Sequence, residues 1–99
     1  MISLDAASLE DAEQLFALPN LRALQQGSLF CSRVNTIYPT ITYPIHVSLI
    51  TGCYPNKHGI PHNQPLQADT PPILRKWYWE VGQIQVKTLH QAAKEAGMD

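Results

Sequence analysis

The uncharged stretch VNTIYPTITYPIHVSLITGCYPN, residues 34–56, decides how this chain is interpreted. Pro44 suits an early helical position, where the missing N–H of proline costs nothing, and Gly52 suits the end of the same helix. Thr42 is therefore predicted to stand just before a helix N-terminus, beside backbone N–H groups and the positive end of the helix dipole. Such a place favours a phosphate-like anion. On local pattern alone, however, a proline-flanked threonine is more often an ordinary cap or turn residue.

Strands and helices are predicted on both sides of this stretch. Met1 to Leu4 is typical of the end of a buried strand, which would place Asp5 at the carboxyl edge of an open α/β sheet, where ligands bind. Leu29 to Ile37 roughly alternates between apolar and polar residues and predicts a strand leading to Thr42. Helices are predicted over Ser8 to Leu18 with Ser8 as the cap, over Pro19 to Gln26 closed by Gly27, and over Val86 to Met98 ended by Gly97.

The segment from Pro61 to Pro72 is rich in proline and polar residues, so an irregular loop is expected over 61–76. The aromatic run Trp77-Tyr78-Trp79 follows it. Packing is the simple interpretation of this run, and stacking against a base or another substrate group is the alternative.

Composition limits the functions that the chain can have. Its 99 residues, 44% of them apolar, suffice for one small globular segment. Seven Lys and Arg against eight Asp and Glu give a net charge of −1, which argues against binding of a nucleic-acid duplex or of a membrane surface through a basic face. Prolines and polar residues interrupt the uncharged stretch, so no membrane-spanning segment is expected. No leader pattern is visible at the N-terminus, and localisation is not predicted.

A longer set of motifs surrounds the threonine: YPTITYP at residues 38–44, SLITGCYP at 48–55, His58-Gly59-Ile60, and Asn63. This set resembles the nucleophile region of the type I phosphodiesterase/nucleotide pyrophosphatase family, within the alkaline phosphatase superfamily. ISLD at residues 2–5 resembles the family's first strand, which ends in a metal-binding aspartate. In the family a glycine usually follows that aspartate, whereas here Ala6 follows.

The resemblance implies an α/β fold, with this chain as the N-terminal portion of an alkaline-phosphatase-like sandwich, a mostly parallel sheet flanked by helices. Residues 1–99 would then be a single segment at the start of a larger catalytic domain. The implied activity is metal-dependent hydrolysis of phosphodiester or nucleotide pyrophosphate bonds in a small-molecule substrate.

The resemblance also implies roles for individual residues. Thr42 would be the catalytic nucleophile and form a covalent phospho-threonine intermediate. Two divalent metal ions, typically zinc, would be bound in part by Asp5 and Thr42, and a metal lowers the pKa of a hydroxyl that it binds. The side-chain amide of Asn63 would help the Thr42 N–H to hold a phosphoryl oxygen. No counterpart of the family's remaining metal ligands is found, so the isolated chain is expected to be inactive.

Two alternatives remain beside this hypothesis, and a third is disfavoured. A phosphonoacetate hydrolase-like enzyme would use the same nucleophile and metal chemistry, and a truncated, non-catalytic structural module would use neither. The run Cys53-Tyr54-Pro55-Asn56-Lys57 approaches the sulfatase signature C-x-P-x-R, but Lys57 replaces its arginine, so a sulfatase is disfavoured. His58 and His62 are four residues apart, yet Gly59 and Pro61 argue against a shared helix and hence against a zinc-ligand pair.

Overall fold

The computed structural model describes residues 2–98 and divides the chain into two compact units, Met1–Asn35 and Thr36–Asp99. The first unit contains helices α1 (Leu9–Leu15) and α2 (Pro19–Gln26). The second contains helices α3 (Thr42–Thr51), α4 (Pro55–His58) and α5 (Leu89–Glu95), with 3-10 turns at Pro72–Leu74 and Val81–Gln83. Each unit holds one free cysteine, the exposed Cys31 in the first and the half-buried Cys53 in the second.

Capping residues set the bounds of the helices in the first unit. The Ser8 hydroxyl accepts the Asp11 N–H at 3.2 Å, and the Asp11 carboxylate accepts the Ser8 N–H at 2.7 Å, so the predicted start of α1 is confirmed. This helix ends at Leu15 and not at Leu18, because Leu18 precedes a proline and adopts an extended ψ of 134°. The predicted bounds of α2 are confirmed.

Glycines end two helices of the second unit. Gly52 follows α3 with φ 66°, and Gly59 follows α4 with φ 79°, both in the left-handed region that favours glycine. The predicted end of α3 is thus confirmed. Its start lies earlier than expected, since Thr42 is the first residue of the helix and Ile41 is the N-cap. The predicted helix over Val86 to Met98 is shorter in the structure, where Thr88 caps α5.

The core of the second unit lies where α4 packs against α3. Its fully buried side chains are Pro44, His58 and Ile60, of which Ile60 is 1% exposed. Helix α5 contacts the other end of α3 and brings the buried Thr88 with it. The buried proline of the first turn of α3 is therefore part of the same core as the segment that follows α4.

The predicted α/β fold class is wrong for this chain: residues 2–98 contain no β-strand or sheet and are helical with irregular connections. A strand is stable only when a neighbouring strand accepts and donates its backbone hydrogen bonds. Residues 2–4 and 29–37 form no such ladder with any other described segment, and apolar side chains such as Ile2 (90% exposed) and Val34 (79%) remain uncovered. The part of the predicted first strand at Met1 lies outside the described residues.

The segment predicted as a loop is irregular from residue 61 to 71 and contains the 3-10 turn at Pro72–Leu74. The Gln67 side chain organises it, since its Oε1 accepts the Lys76 N–H at 3.1 Å and its Nε2 donates to the Lys76 carbonyl at 3.0 Å. These bonds hold the residue just before the aromatic run 77–79. None of the helices within residues 2–98 is long and apolar enough to cross a membrane.

Candidate active site

Thr42 occupies the first position of α3, at the positive end of the helix dipole. The N-cap residue Ile41 has no side-chain group that could accept a backbone N–H, and the first turn contains no acidic residue. Pro44, two residues further on, has no N–H and needs no acceptor. The helix start thus lacks a local cap, and its backbone donors must find acceptors elsewhere.

Asn63 supplies one such acceptor from 20 residues away along the chain. Its Oδ1 accepts the N–H of Tyr43 at 2.9 Å, and its backbone carbonyl accepts the N–H of Tyr78 at 3.1 Å. The structure therefore brings Asn63 to the N-terminus of α3, directly beside the residue that follows Thr42. Because Oδ1 is engaged by the helix, the Nδ2 amino group is the half of the amide that can donate to a ligand.

The aromatic run lies around the same helix start. The Tyr43 ring packs edge-to-face against Trp77, with ring centroids 5.4 Å apart, and against Trp79 at 6.3 Å. A cavity of about 160 Å³ beside them is lined by Val47, Ile60 and other apolar side chains. The ring contacts agree with the packing interpretation of the run, but Trp77 is 39% and Trp79 71% exposed, so the choice between packing and stacking against a substrate group stays a prediction.

His58, at the end of α4, is buried against α3. Its Nδ1 accepts the N–H of Ile60 at 3.1 Å, so the proton lies on Nε2, which is 3.0 Å from the Ser48 hydroxyl. Burial lowers the pKa of His58, although hydrogen bonds with its own backbone and with that of Pro44 oppose the change. The neutral ring is the form that these contacts need, which supports the structural interpretation of His58.

The other histidines do not extend the site. Helix α4 ends at His58, and Nδ1 of His62 accepts the Gln64 N–H at 3.3 Å, so the expectation that His58 and His62 share no helical turn is confirmed. His46 lies within α3, with its Nδ1 2.8 Å from the Thr42 carbonyl, as a helix-face residue. Among residues 2–98, no three His, Cys, Asp or Glu side chains are grouped so that they could hold a metal ion.

Asp5 belongs to the first unit and is exposed in a turn. Ala6, which follows it, has φ 58° and is the one described non-glycine residue with a positive φ. This backbone conformation carries a steric cost for alanine, because only glycine adopts it freely.

The contact between Ser48 and His58 was not predicted from the sequence. Ser48 places a hydroxyl between Val47 and the apolar pair Leu49-Ile50, and a polar side chain in such a place needs a partner when its helix is packed. That signal points to a buried hydrogen bond, but only the structure shows that the partner is His58.

Comparison with known proteins identifies the relatives of this site. The family model of type I phosphodiesterase/nucleotide pyrophosphatase matches residues 1–97. The chain belongs to this family. The family resemblance predicted from the motifs is thereby confirmed.

Individual relatives agree with the family match. Bis(5'-adenosyl)-triphosphatase enpp4 of Xenopus laevis is 33% identical over 75 residues, which cover 70% of this chain and 17% of the relative. Ectonucleotide pyrophosphatase/phosphodiesterase family member 3 of Rattus norvegicus is 41% identical over 46 residues, which cover 46% of this chain and 5% of the relative. Family member 1 of Homo sapiens is 38% identical over 47 residues, which cover 48% of this chain and 5% of the relative. The chain thus spans less than a fifth of the length of these relatives. No solved structure gives a significant match.

Proposed function

We propose that this chain contains the nucleophile segment of a hydrolase that cleaves phosphodiester or nucleotide pyrophosphate bonds, with Thr42 as the nucleophile. The observation that supports this most directly is the hydrogen bond from the Tyr43 N–H to Asn63 Oδ1 at 2.9 Å. It brings the two residues that the motifs single out, Thr42 and Asn63, to one helix start. Membership in the family supports the reaction class.

The local electrostatics suit an anionic substrate. The first turn of α3 contains no acidic side chain, and residues 34–56 contain no Asp or Glu that would repel a phosphoryl group. The helix dipole favours negative charge at this end, and the Nδ2 amide of Asn63 donates a hydrogen bond without changing its protonation state. Charge that develops on a phosphoryl oxygen during attack by Thr42 would be stabilised by both. The attack forms a bond from the Thr42 hydroxyl oxygen, which loses its proton, to phosphorus and breaks the bond from phosphorus to the leaving oxygen. The resulting phospho-threonine ester is then hydrolysed by water, which restores the Thr42 hydroxyl.

Metal dependence is part of the proposal. Asp5 and Thr42 offer a carboxylate and a hydroxyl, oxygen donors that suit divalent ions such as zinc, but two side chains cannot complete two sites. We infer that the other ligands lie outside residues 1–99 and that the chain is the first part of a larger catalytic domain. A metal bound to the Thr42 oxygen would lower its pKa and so supply the nucleophile at neutral pH.

The substrate is a small molecule with a phosphodiester or a nucleotide pyrophosphate group. The names of the relatives, a bis(5'-adenosyl)-triphosphatase and ectonucleotide pyrophosphatases/phosphodiesterases, support this class. The net charge of −1 is consistent with a small ligand and gives no support for binding of a nucleic-acid duplex.

The experiment that tests the nucleophile compares Thr42→Ala and Thr42→Ser in the full-length protein. With p-nitrophenyl thymidine 5'-monophosphate as the substrate, Thr42→Ala should abolish turnover, while Thr42→Ser should retain it because the attacking hydroxyl remains. Attack on this substrate releases p-nitrophenolate, so acid quenching during turnover should leave a thymidine 5'-monophosphoryl group on the peptide that contains residue 42, detected by mass spectrometry. Wild-type rates in Thr42→Ala, or that group on another residue, would overturn the assignment. A correctly folded wild-type protein with no activity would favour the non-catalytic module.

A further inference from the structure

The segment of residues 58–63 is fastened to α3 at two points. At its start, His58 Nε2 lies 3.0 Å from the Ser48 hydroxyl, in the middle of the helix. At its end, Asn63 Oδ1 accepts the Tyr43 N–H at 2.9 Å, in the first turn of the helix. Between the two points, Ile60 is 1% exposed and packs into the core. The position of the Asn63 amide is thus set directly at Tyr43 and, five residues earlier, at His58; of the residues between, Ile60 is buried whereas Pro61 and His62 are exposed.

The contacts of the His58 side chain form a directed chain. Nδ1 accepts the Ile60 N–H, so Nε2 bears the proton and donates a hydrogen bond towards α3, where Ser48 Oγ lies at 3.0 Å and the Pro44 backbone is a further partner. One imidazole ring therefore joins the helix to the backbone that leads towards Asn63. A buried ring with both nitrogens engaged has one orientation, because any rotation would leave a buried polar group without a partner.

The other side of the segment is also held. The Gln85 N–H donates to the His58 carbonyl at 3.0 Å. The Gln85 side chain lies over Gly59, with its nearest atoms 2.6 Å from where a Cβ would stand. The start of the segment, at His58 and Gly59, is held between Gln85 and α3, so a shift of His58 would move the backbone that leads to Asn63.

From this geometry we infer that His58 is a positioning residue: through Ser48 it fixes the segment of residues 58–63 and thereby the Asn63 amide at the start of α3. The inference rests on the proposed function, in which that amide donates to a phosphoryl oxygen. His58 touches neither the substrate nor the reacting atoms and acts only through Asn63.

The test is a double-mutant cycle in the full-length protein, with p-nitrophenyl thymidine 5'-monophosphate as the substrate. His58→Asn keeps an acceptor near the position of Nδ1 for the Ile60 N–H but loses the donor to Ser48. Ser48→Ala removes the other half of the same bond with a smaller change and serves if His58→Asn fails to fold. Each is combined with Asn63→Ala, and rates are normalised to the folded fraction of each preparation, measured by circular dichroism, so that unfolded protein is not counted.

We expect His58→Asn and Ser48→Ala each to lower kcat by about 10- to 10²-fold with little change in KM. A loss of this size is usual when a catalytic group is displaced by about 1 Å. In the Asn63→Ala background the same substitutions should have no further effect, because the group that they position is gone. Thr51→Val is the matched control: it removes a hydroxyl that bonds the Val47 carbonyl at 2.6 Å on the same helix and should leave kcat unchanged.

A readout independent of activity is the hydrogen exchange of the Tyr43 amide, whose acceptor is Asn63. It should become faster in His58→Asn and in Ser48→Ala and stay unchanged in Thr51→Val. If the kcat losses are the same with and without Asn63, the positioning role is wrong while the proposed function stands. If Asn63→Ala itself leaves kcat unchanged, the donor role in the proposed function is wrong, and positioning is then decided by the exchange rate alone. Unchanged exchange at Tyr43 in both variants would overturn the inference.

Discussion

At the scale of single residues, the oxygen and the nitrogen of the Asn63 side-chain amide have separate roles. Oδ1 accepts the Tyr43 N–H and caps α3, whereas Nδ2 is the donor that the proposed chemistry uses. An alanine would remove both atoms together. An aspartate would keep an oxygen for the helix but lose the donor, so it separates the stability of the helix start from catalysis.

Asn63→Asp should therefore keep the thermal stability of the full-length protein near that of the wild type and yet lower kcat by at least about 10²–10³, the usual loss for one oxyanion donor. The new negative charge would also repel the phosphoryl group. Asn63→Ala is the comparison, and it should lose stability as well because the Tyr43 N–H loses its acceptor. Thermal denaturation and steady-state kinetics measure the two effects. Undiminished kcat in Asn63→Asp would contradict the donor role.

A second prediction concerns Ala6, whose φ of 58° is strained for any residue with a Cβ. Ala6→Gly should remove a cost of about 1–2 kcal/mol, of which the greater freedom of glycine in the unfolded chain takes back about 0.5–1 kcal/mol. The net result is a free energy of unfolding higher by up to about 1.5 kcal/mol, measured by urea denaturation. Ala7→Gly is the matched control and should destabilise, since the φ of Ala7 is not positive. Equal effects of the two substitutions would show that the strain at Ala6 is absent in solution.

At the scale of elements, helix ends were predictable where proline or glycine marks them. Pro19, Gly27 and Gly52 gave the bounds of α2 and the end of α3, because their backbone preferences act locally. The two strands were not predictable in the same way, since a strand depends on partners distant in sequence. The motifs predicted that Thr42 and Asn63 belong together, but the acceptor role of Oδ1 and the bond between Ser48 and His58 depend on three-dimensional packing.

The glycines that end α3 and α4 give a matched pair for measurement. Both have positive φ, but a Cβ at Gly52 would meet nothing within 4 Å, whereas one at Gly59 would meet the Gln85 side chain at 2.6 Å. Gly52→Ala should therefore cost only the left-handed strain of about 1–2 kcal/mol. Gly59→Ala should cost about 1 kcal/mol more, the low end of the range for overpacking, because the Gln85 side chain is flexible.

Adding Gln85→Ala to each glycine variant, and measuring all of them against the Gln85→Ala single variant, tests this explanation. The extra cost of Gly59→Ala should disappear in that background, while the cost of Gly52→Ala should not change. Denaturant unfolding at one temperature gives all the values. If Gly59→Ala still lowers the free energy of unfolding more than Gly52→Ala does in the Gln85→Ala background, then contacts other than those of Gln85 require a glycine at position 59.

At the scale of the whole molecule, the described chain has more exposed apolar surface than a self-sufficient domain needs. Ile2, Leu29, Leu66 and Ile73 are all almost fully exposed. Large exposed apolar surface promotes association with other apolar surfaces. This agrees with the proposal that residues 1–99 are one part of a larger catalytic domain, in which such side chains would be covered.

The purified 99-residue chain should therefore bind the dye ANS, retain no stoichiometric zinc after dialysis and fail to hydrolyse p-nitrophenyl thymidine 5'-monophosphate. The physical reason is that Asp5 and Thr42 cannot close two metal sites by themselves. Elemental analysis and a diesterase assay measure this, with the full-length protein as the positive control. Two tightly held metals per 99-residue chain, together with diesterase activity, would refute the proposal that the ligand set is completed elsewhere.

The distribution of the two thiols has a practical consequence. Each compact unit has exactly one cysteine in its sequence, and the two differ in accessibility, Cys31 being exposed and Cys53 half-buried. A limiting amount of a maleimide dye should label Cys31 first, and a second dye added under mild denaturation should then label Cys53. The 99-residue chain thereby contains, without any substitution, the two attachment sites that a measurement of fluorescence energy transfer needs. Energy transfer between the dyes would report how far apart the units are and whether a metal or a nucleotide changes that separation.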